Sequence, residues 1–548
     1  MKNAQREQIW DKIAGPWDII IIGGGIVGAG LLREASQAGL RALLVEAHDF
    51  ASGTSSRSSK MVHGGLRYLS TGQVKLTMES VHERQRLLQE GRGLIDPLEF
   101  LLVSYKGDRP PAWIFAVGLM VYDTLAMRWQ HQHKSADELE MLCPQLARNR
   151  LGGGFRFFDA QTDDARMVLR VLQDGINSGG TAINYARVEG LLRDRNGRVC
   201  GIQLRDKAAN RNLEIVAPVV VNATGAWADD LRGKLGQPRR LRQLCGSHLI
   251  FPRAKLPVNK VISFLHPVDR RPVFAFPWEG VTLVGTTDVD YRQPMQTNPR
   301  ISPLEVSYLM DAVDATFGCL QLTEADAIST LAGIRSVLDT GKANPSRESR
   351  DEVLWNEDGL VTITGGKLTM FRRMAQRTLQ FVRPYLPAHH HPDRKARALD
   401  RLNCWDFAAQ ADQLGIDPGL QTRLLGRYGH AAIDLLCGAE ANELTPITTT
   451  PTLWAELRWA ARTEQVVHLE DLLLRRSRLG LLLPQGGIGE IERVRSICQP
   501  ELGWDDLRWQ AEAAAYRDLW QKAYSPPGSD NPIPVTSQIP QESIREAA

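Results

Sequence analysis

At 548 residues the chain is too long for one ordinary core and predicts two or three domains, while 43% hydrophobic and 24% charged residues exclude a disordered or fibrous protein. A formal net charge of +3 argues against a nucleic-acid binder. The seven cysteines are scattered without a CxxC pair, so they predict free thiols in a reducing compartment rather than disulfides or a zinc site.

The segment Met1 to Pro16 is polar and carries no apolar stretch that would direct export. Trp17 to Ile22 is short, β-branched and apolar, as a parallel strand buried on both faces should be. Gly23-Gly24-Gly25-Ile26-Val27-Gly28 follows it, then an Ala/Leu-rich helix to Gly39 and a second strand over 40–46. This is GxGxxG in a βαβ context, with Glu46 standing 18 residues past Gly28. The glycines permit a tight turn and close backbone approach, and the helix N-terminus offers unpaired N–H groups to a pyrophosphate. Glu46 would accept hydrogen bonds from a ribose hydroxyl and repel a 2′-phosphate. The fingerprint by itself does not separate NAD from FAD.

The run Pro111 to Tyr122 is too short to span a bilayer, and nowhere do 18 apolar residues run together. Its flanks Lys106, Arg109, Arg128, Trp129 and Lys134 suit shallow insertion against anionic lipid, yet the run alone reads more readily as a buried helix. Ala186 to Arg193 and Val199 to Arg205 flank Asn196-Gly197 as a hairpin, and Val219 to Asn222 is another buried strand ending in Ala223-Thr224-Gly225. The closely spaced runs 248–252, 272–276 and 281–285 predict an antiparallel sheet, with 328–332 as a fourth strand. A buried strand over 359–364 precedes a helix beginning near Lys367. After about Pro387 the pattern is helical to roughly Ala523, and the Pro-rich stretch 525–548 reads as a disordered tail. The domains expected are therefore 1–387, 388–524 and the tail 525–548.

Two tempting signals are set aside. His389-His390-His391 lies in a Pro-flanked linker where neighbouring side chains diverge, so it predicts no metal site. Leu469 to Leu474 followed by Arg475, Arg476 and Arg478 reads as a core-packed helix ending in cations rather than a membrane helix.

The stretch Ala51 to Leu69 (ASGTSSRSSKMVHGGLRYL) closely resembles the flavin loop of the aerobic, FAD-dependent glycerol-3-phosphate dehydrogenases, within the D-amino-acid-oxidase-like flavoproteins. Further matches follow in order: Asp163 to Arg166, Asn222 to Gly225, Gly246 to His248, Gly285 to Asp288, Gly333 to Arg335, Gly365 to Thr369 and Leu469 to Gly480. Ser336 stands where the family often has proline, and Met370 where it commonly has threonine. The resemblance implies an α/β flavin-binding Rossmann-like domain, an antiparallel-sheet substrate domain and an α-helical C-terminal domain. It also implies oxidation of sn-glycerol 3-phosphate to dihydroxyacetone phosphate with FAD, reoxidation by membrane quinone, and peripheral attachment to the inner face of the cytoplasmic membrane. A homodimer is left open.

Carried onto this chain, the resemblance places Arg67, Tyr68, His248, Arg335, Arg350 and Lys367 in the substrate pocket. Arginine forks suit a phosphate, and Arg67 and Arg335 have the firmer contexts because Arg347 stands near Arg350. His248 is the natural proton acceptor at neutral pH, with an arginine second because it would have to be neutral. His63 and Tyr68 read equally well as positioning or packing groups. The cofactor set is Gly23, Gly24, Gly25, Ile26, Val27, Gly28, Glu46, Thr54, Ser58, Ser59, Val188, Gly225, Gly366, Lys367 and Leu368. The helix start at Lys367 would favour negative charge at the flavin pyrimidine. An O2-using oxidase of the same substrate, an amino-acid oxidase and a flavin-binding membrane scaffold stand as alternatives.

Overall fold

The structure, a computed structural model, describes residues 3–69, 73–295, 298–342, 348, 351–387, 393, 395–400, 402 and 405–527, with no side-chain placement for 3–5, 67, 68 and 441. The Pro-rich tail from 528 and the His389 to His391 tract lie outside the described residues.

Ile19–Ile22 sits at the centre of a six-stranded sheet and is buried along its whole length, as its four consecutive isoleucines require. It pairs in parallel with Ala42–Val45 on one side and Val219–Asn222 on the other. Thr181–Ile183 and Leu360–Thr364 extend the parallel part, and Val353–Glu357 closes one edge antiparallel to its neighbour. The helices Ile26–Gln37, Asp164–Asn177 and Phe371–Val382 cover one face of this sheet through a shared core that includes Leu31, Leu32, Val168, Phe371 and Met374. The hairpin Ala186–Arg193 and Val199–Asp206 gains a third strand, Arg211–Val216, and packs on the opposite face.

The second sheet is larger than the sequence suggests. Leu241–Pro252, Pro272–Trp278, Val281–Gly285 and Ser329–Leu338 are antiparallel neighbours, but the sheet has ten strands and includes Ile95–Tyr105 and Leu151–Thr162. Val261–Leu265 joins it in parallel to Ile95–Tyr105, so one pairing departs from the antiparallel expectation. One face packs on the helix Pro303–Phe317, which begins with a Ser302/Glu305 capping box.

The other face buries Ile250, Phe276, Leu283 and Leu331 against Leu473, Leu479, Leu482 and Tyr516 of the helical part. That part runs from Trp405–Gln413 to Asp506–Ala523 and contains no strand among the described residues. Its core is shared with the sheet rather than closed on itself. In the N-terminal segment Asn3–Ile13 is a helix whose Trp10 and Ile13 are buried, tied down by Arg6 on Asp206 at 2.7 Å.

One expectation changes. Ala112–Ala126 is a helix but not a buried one: Trp113 is 66% and Val117 52% exposed, and Ile114, Met120 and Val121 share that face. The stretch from Leu469 packs into the core as expected, and its cations are buried with it, Arg475 and Arg476 on a π-helical turn spanning Asp471–Arg476. Arg475 and Arg476 both bond the carboxylate of Asp49, which lies just past Glu46, at 2.5 and 2.8 Å. Two buried cations on one buried anion clamp the helical part to the dinucleotide-binding strand region, and removing one partner of such a set costs about 3–5 kcal/mol.

Candidate active site

The cradle for a dinucleotide is built where the parallel strands end. A Cβ on Gly28 would lie 1.8 Å from the Gly23 carbonyl oxygen, and one on Gly23 would lie 2.6 Å from the Ala223 oxygen. The residue before the helix that starts at Ile26 is Gly25, which has no side chain to cap it, so the N–H groups of its first turn face the loop. Ser55 Oγ reaches only one of them, accepting from Ile26 N at 3.0 Å; Val27 follows it in that first turn. Glu46 Oε2 accepts from Gly24 N at 2.6 Å, and Oε1 from His48 N at 2.8 Å. Burial pushes the Glu46 carboxyl above the usual range, against the pull of these N–H donors. Val188 lies two residues beyond Ala186, whose N–H donates to the Glu46 carbonyl at 2.8 Å, so the 186–193 strand begins beside this carboxylate.

Four separate segments close over the cradle. Gly225, at φ +59°, accepts from Thr364 Oγ1 at 3.3 Å, and a Cβ on Gly53 would meet the Trp227 ring at 2.9 Å. Gly365 and Gly366 turn at φ +77° and +72°, followed by Lys367 and the 3₁₀ turn Leu368–Met370. Lys367 Nζ donates to Ser80 Oγ at 3.0 Å, and Thr369 Oγ1 donates to the His63 carbonyl at 3.4 Å, tying this turn to the 51–65 loop. The donor set and the glycine spacing fit FAD. The 23–28 loop and Glu46 would hold the adenosine diphosphate end, with Ser59, Gly225, Gly366, Lys367 and Leu368 nearer the reacting end.

Two hydroxyls expected for the cofactor donate to protein groups. Thr54 Oγ1 donates to the Ile334 carbonyl at 2.5 Å, which docks the loop against the strand carrying Arg335. Ser58 Oγ donates to Asp164 Oδ2 at 2.7 Å. Ser59 alone of the three turns inward, its Oγ 2.9 Å from Nε2 of His248.

Three strands bring the reactive groups together. His248 faces Leu331 across one pairing and Gly285 across the other, while Arg335 faces Leu244, so both side chains project from one face with Gly246 and Gly333 between them. Each of these glycines makes room. A Cβ on Gly285 would strike the His248 ring at 2.3 Å, one on Gly246 the Arg335 guanidinium at 2.8 Å, and one on Gly333 the Arg57 carbonyl oxygen at 2.2 Å. His248 is 2% exposed; burial, then Lys60 and Arg335, lower its pKa to about 3, so the ring is neutral. Its Nδ1 is buried and meets no hydrogen-bond partner among the described residues. Arg335 Nη2 reaches Asp288 Oδ1 at 2.9 Å and the Thr287 carbonyl at 3.1 Å. Behind the sheet Glu305 Oε1 accepts from Thr287 Oγ1 at 2.6 Å and Ser247 Oγ at 2.8 Å, bracing the 286–288 connection that anchors Arg335 against the strand that carries His248.

Arg67 and Tyr68 lie on the helical turn Leu66–Leu69, with side chains outside the description, and Arg350 lies outside the described residues. Sequence reasoning gave no role to Lys60 and Asp164, which it met only inside matched motifs, and did not single out Glu305. A neutral imidazole with one bare ring nitrogen, a nearby guanidinium and a dinucleotide cradle form a site able to take a proton from an anionic alcohol while a hydride leaves the adjacent carbon.

Comparison with known proteins follows the same division. Residues 18–372 match the family described as FAD dependent oxidoreductase, and residues 365–509 match the C-terminal domain of alpha-glycerophosphate oxidase. The chain is 34% identical over 499 residues to the aerobic glycerol-3-phosphate dehydrogenase of Staphylococcus aureus, covering 87% of this chain and 89% of that protein. The solved glycerol-3-phosphate dehydrogenase of Bacillus halodurans, complexed with FAD, superposes with a TM-score of 0.76 at 26% identity, covering 95% of this chain and 97% of that one. The L-alpha-glycerophosphate oxidase of Mycoplasma pneumoniae shares the fold at a TM-score of 0.58 and 16% identity, over 71% of this chain and 99% of its own.

Proposed function

Since this chain belongs to the FAD-dependent oxidoreductases, in the group of aerobic glycerol-3-phosphate dehydrogenases, we propose that it oxidises sn-glycerol 3-phosphate to dihydroxyacetone phosphate. The observation that carries this reading is the pairing of a neutral His248 with Arg335 on one sheet face, beside the dinucleotide cradle. Bound FAD supplies the hydride acceptor. Arg335 binds the phosphate dianion, and Nδ1 of His248 takes the proton from the substrate's secondary hydroxyl. Anaerobic titration tests the reading. Glycerol 3-phosphate is expected to bleach the flavin absorbance of the purified protein, and glycine or D-amino acids are not. A flavin that amino acids bleach and glycerol 3-phosphate leaves yellow would sink it.

Quinone at the inner face of the cytoplasmic membrane is the proposed electron acceptor, and the helix Ala112–Ala126 the proposed contact. Among the described residues no helix is long and apolar enough to cross a membrane. Trp113, Ile114, Val117 and Met120 nevertheless form an exposed stripe, continued by Val74 and Met78 of the neighbouring helix Val74–Glu90. Exposed Lys75, Lys106, Arg109 and Arg128 border it, as suits anionic headgroups. Each large side chain transferred from water contributes about 1.5–3 kcal/mol. The double variant Trp113→Asp/Val117→Asp is therefore expected to lose flotation with anionic vesicles while keeping dye-linked activity in solution. Undiminished flotation would remove this helix from the proposal. Peroxide formed in step with substrate oxidation would instead favour O2 as the acceptor.

A further inference from the structure

Residues 56–60 of the flavin loop are fastened from below by one carboxylate. Asp164, the first residue of the helix Asp164–Asn177, is fully buried. Its Oδ2 accepts from Ser58 N at 2.9 Å, Ser58 Oγ at 2.7 Å and Lys60 Nζ at 2.9 Å. Its Oδ1 accepts from Lys60 Nζ at 2.8 Å, Arg478 Nη2 at 2.7 Å and its neighbour Ala165 N at 2.9 Å. Lys60 and Arg478 also share the Ser56 carbonyl, each at 2.8 Å, and both lie over the Trp278 ring. Lys60 holds a left-handed backbone, φ +59°, to make this connection.

Ser59 is the residue between those two anchors, and its Oγ is the group on Nε2 of His248. A neutral imidazole carries one N–H and one lone pair, and the Ser59 hydroxyl can accept from the first or donate to the second, so the direction of this bond and the tautomer go together. If Nε2–H donates to Ser59 Oγ, the lone pair is left on Nδ1, the buried nitrogen that has no partner among the described residues.

We propose that Asp164, together with Arg478 of the helical part, is a positioning residue for the reaction: it fixes Ser59 on Nε2 of His248 and so presents Nδ1 as the proton acceptor. The inference rests on the substrate reading above for its kinetic consequence, though not for the state of the ring. The helical part thereby contributes to the chemistry without touching substrate. The charged groups acting on His248 are Lys60 from the loop and Arg335 from the strand Ser329–Leu338, while Phe276 presents its ring from the strand Pro272–Trp278. Lys60 itself is held near a pKa of about 7 by burial and Arg478, against the opposing pull of Asp164.

The test uses full-length holoprotein with its 12 histidines labelled with nitrogen-15, and reads the tautomer of His248 by long-range proton–nitrogen correlation. His248 is expected to be protonated at Nε2 and bare at Nδ1. Ser59→Ala is expected to mix the tautomers and lower kcat about 10- to 100-fold, with KM changed less than about threefold. Ser59→Thr, which keeps the hydroxyl, is expected to restore both. Asp164→Asn should act in the same direction as Ser59→Ala. A Ser59→Ala protein that keeps the Nε2–H signal and its kcat overturns the proposal, as does an Asp164→Asn protein whose loss of rate only follows loss of FAD. If Asp164→Asn does not fold, the two Ser59 variants decide. A wild-type flavin that glycerol 3-phosphate fails to bleach would defeat the substrate reading alone, because the ring's tautomer is read in the resting protein.

Discussion

Replacing His248 by asparagine is expected to slow substrate-dependent flavin reduction by about 10²–10⁴-fold while FAD stays bound. Asparagine keeps a polar group facing Ser59 but has no nitrogen able to take a proton at neutral pH. The contact that Gly285 makes room for is relieved rather than tightened, so the strand pairing should survive. Stopped-flow bleaching at saturating glycerol 3-phosphate isolates the step from phosphate binding. A rate within about fivefold of wild type would assign the proton to another group. The pH profile carries the same prediction with a sign. The pKa of His248 is lowered to about 3, so the base is already deprotonated across the neutral range, and the wild-type limiting rate should not fall on the acid side until below about pH 5. An acid limb centred near the ordinary histidine value would contradict the buried, cation-flanked ring.

Arg335→Ala is the second large effect, expected on kcat/KM more than on kcat. The guanidinium is already oriented by Asp288 and by the Thr287 carbonyl, so little ordering remains to be done when an anion arrives. Losing its charge-assisted bonds to phosphate removes about 3 kcal/mol, on the order of 10²-fold in kcat/KM. Arg335→Lys should recover only part, because a single ammonium cannot hold Asp288 and a phosphate in the same fork geometry. Steady-state kinetics with glycerol 3-phosphate and with glycerol separates the cases. The loss should shrink sharply for glycerol, which has no phosphate to clamp, and an equal loss on both substrates would assign Arg335 to the fold rather than to the anion.

What the sequence made legible was whatever announces itself locally. The first βαβ unit is written in four isoleucines, a glycine cluster and an acid at the right remove, and the observed strands fall where those residues place them. Ile95–Tyr105 escaped notice because Asp96, Pro97 and Glu99 break its apolar run, and Leu151–Thr162 because three glycines open it. Both are strands because each is the other's partner, which a local pattern cannot show. The N-terminal helix was hidden by its polarity, its anchor Asp206 lying 200 residues away. At the site, His248 and Arg335 were reachable through resemblance. Their support was not: Ser59 meets His248 across 189 residues, and Asp164 was visible as part of a motif without a role. Buried charge is the hardest feature to read, since a run such as Arg475, Arg476 and Arg478 looks the same whether water or carboxylates receive it.

The paired arginines on Asp49, with Arg478 on Asp164 and Arg427 on Asp163 at 2.8 Å, bear on how this protein can be divided. A cut at the Pro-rich junction near residue 387 would strand three buried acids without most of their cations and bare the sheet face that Leu473 and Leu482 cover. The helical part is thus a counter-charge as well as a cover for the core. A lineage that discarded it would have had to neutralise positions 49, 163 and 164 in the remainder.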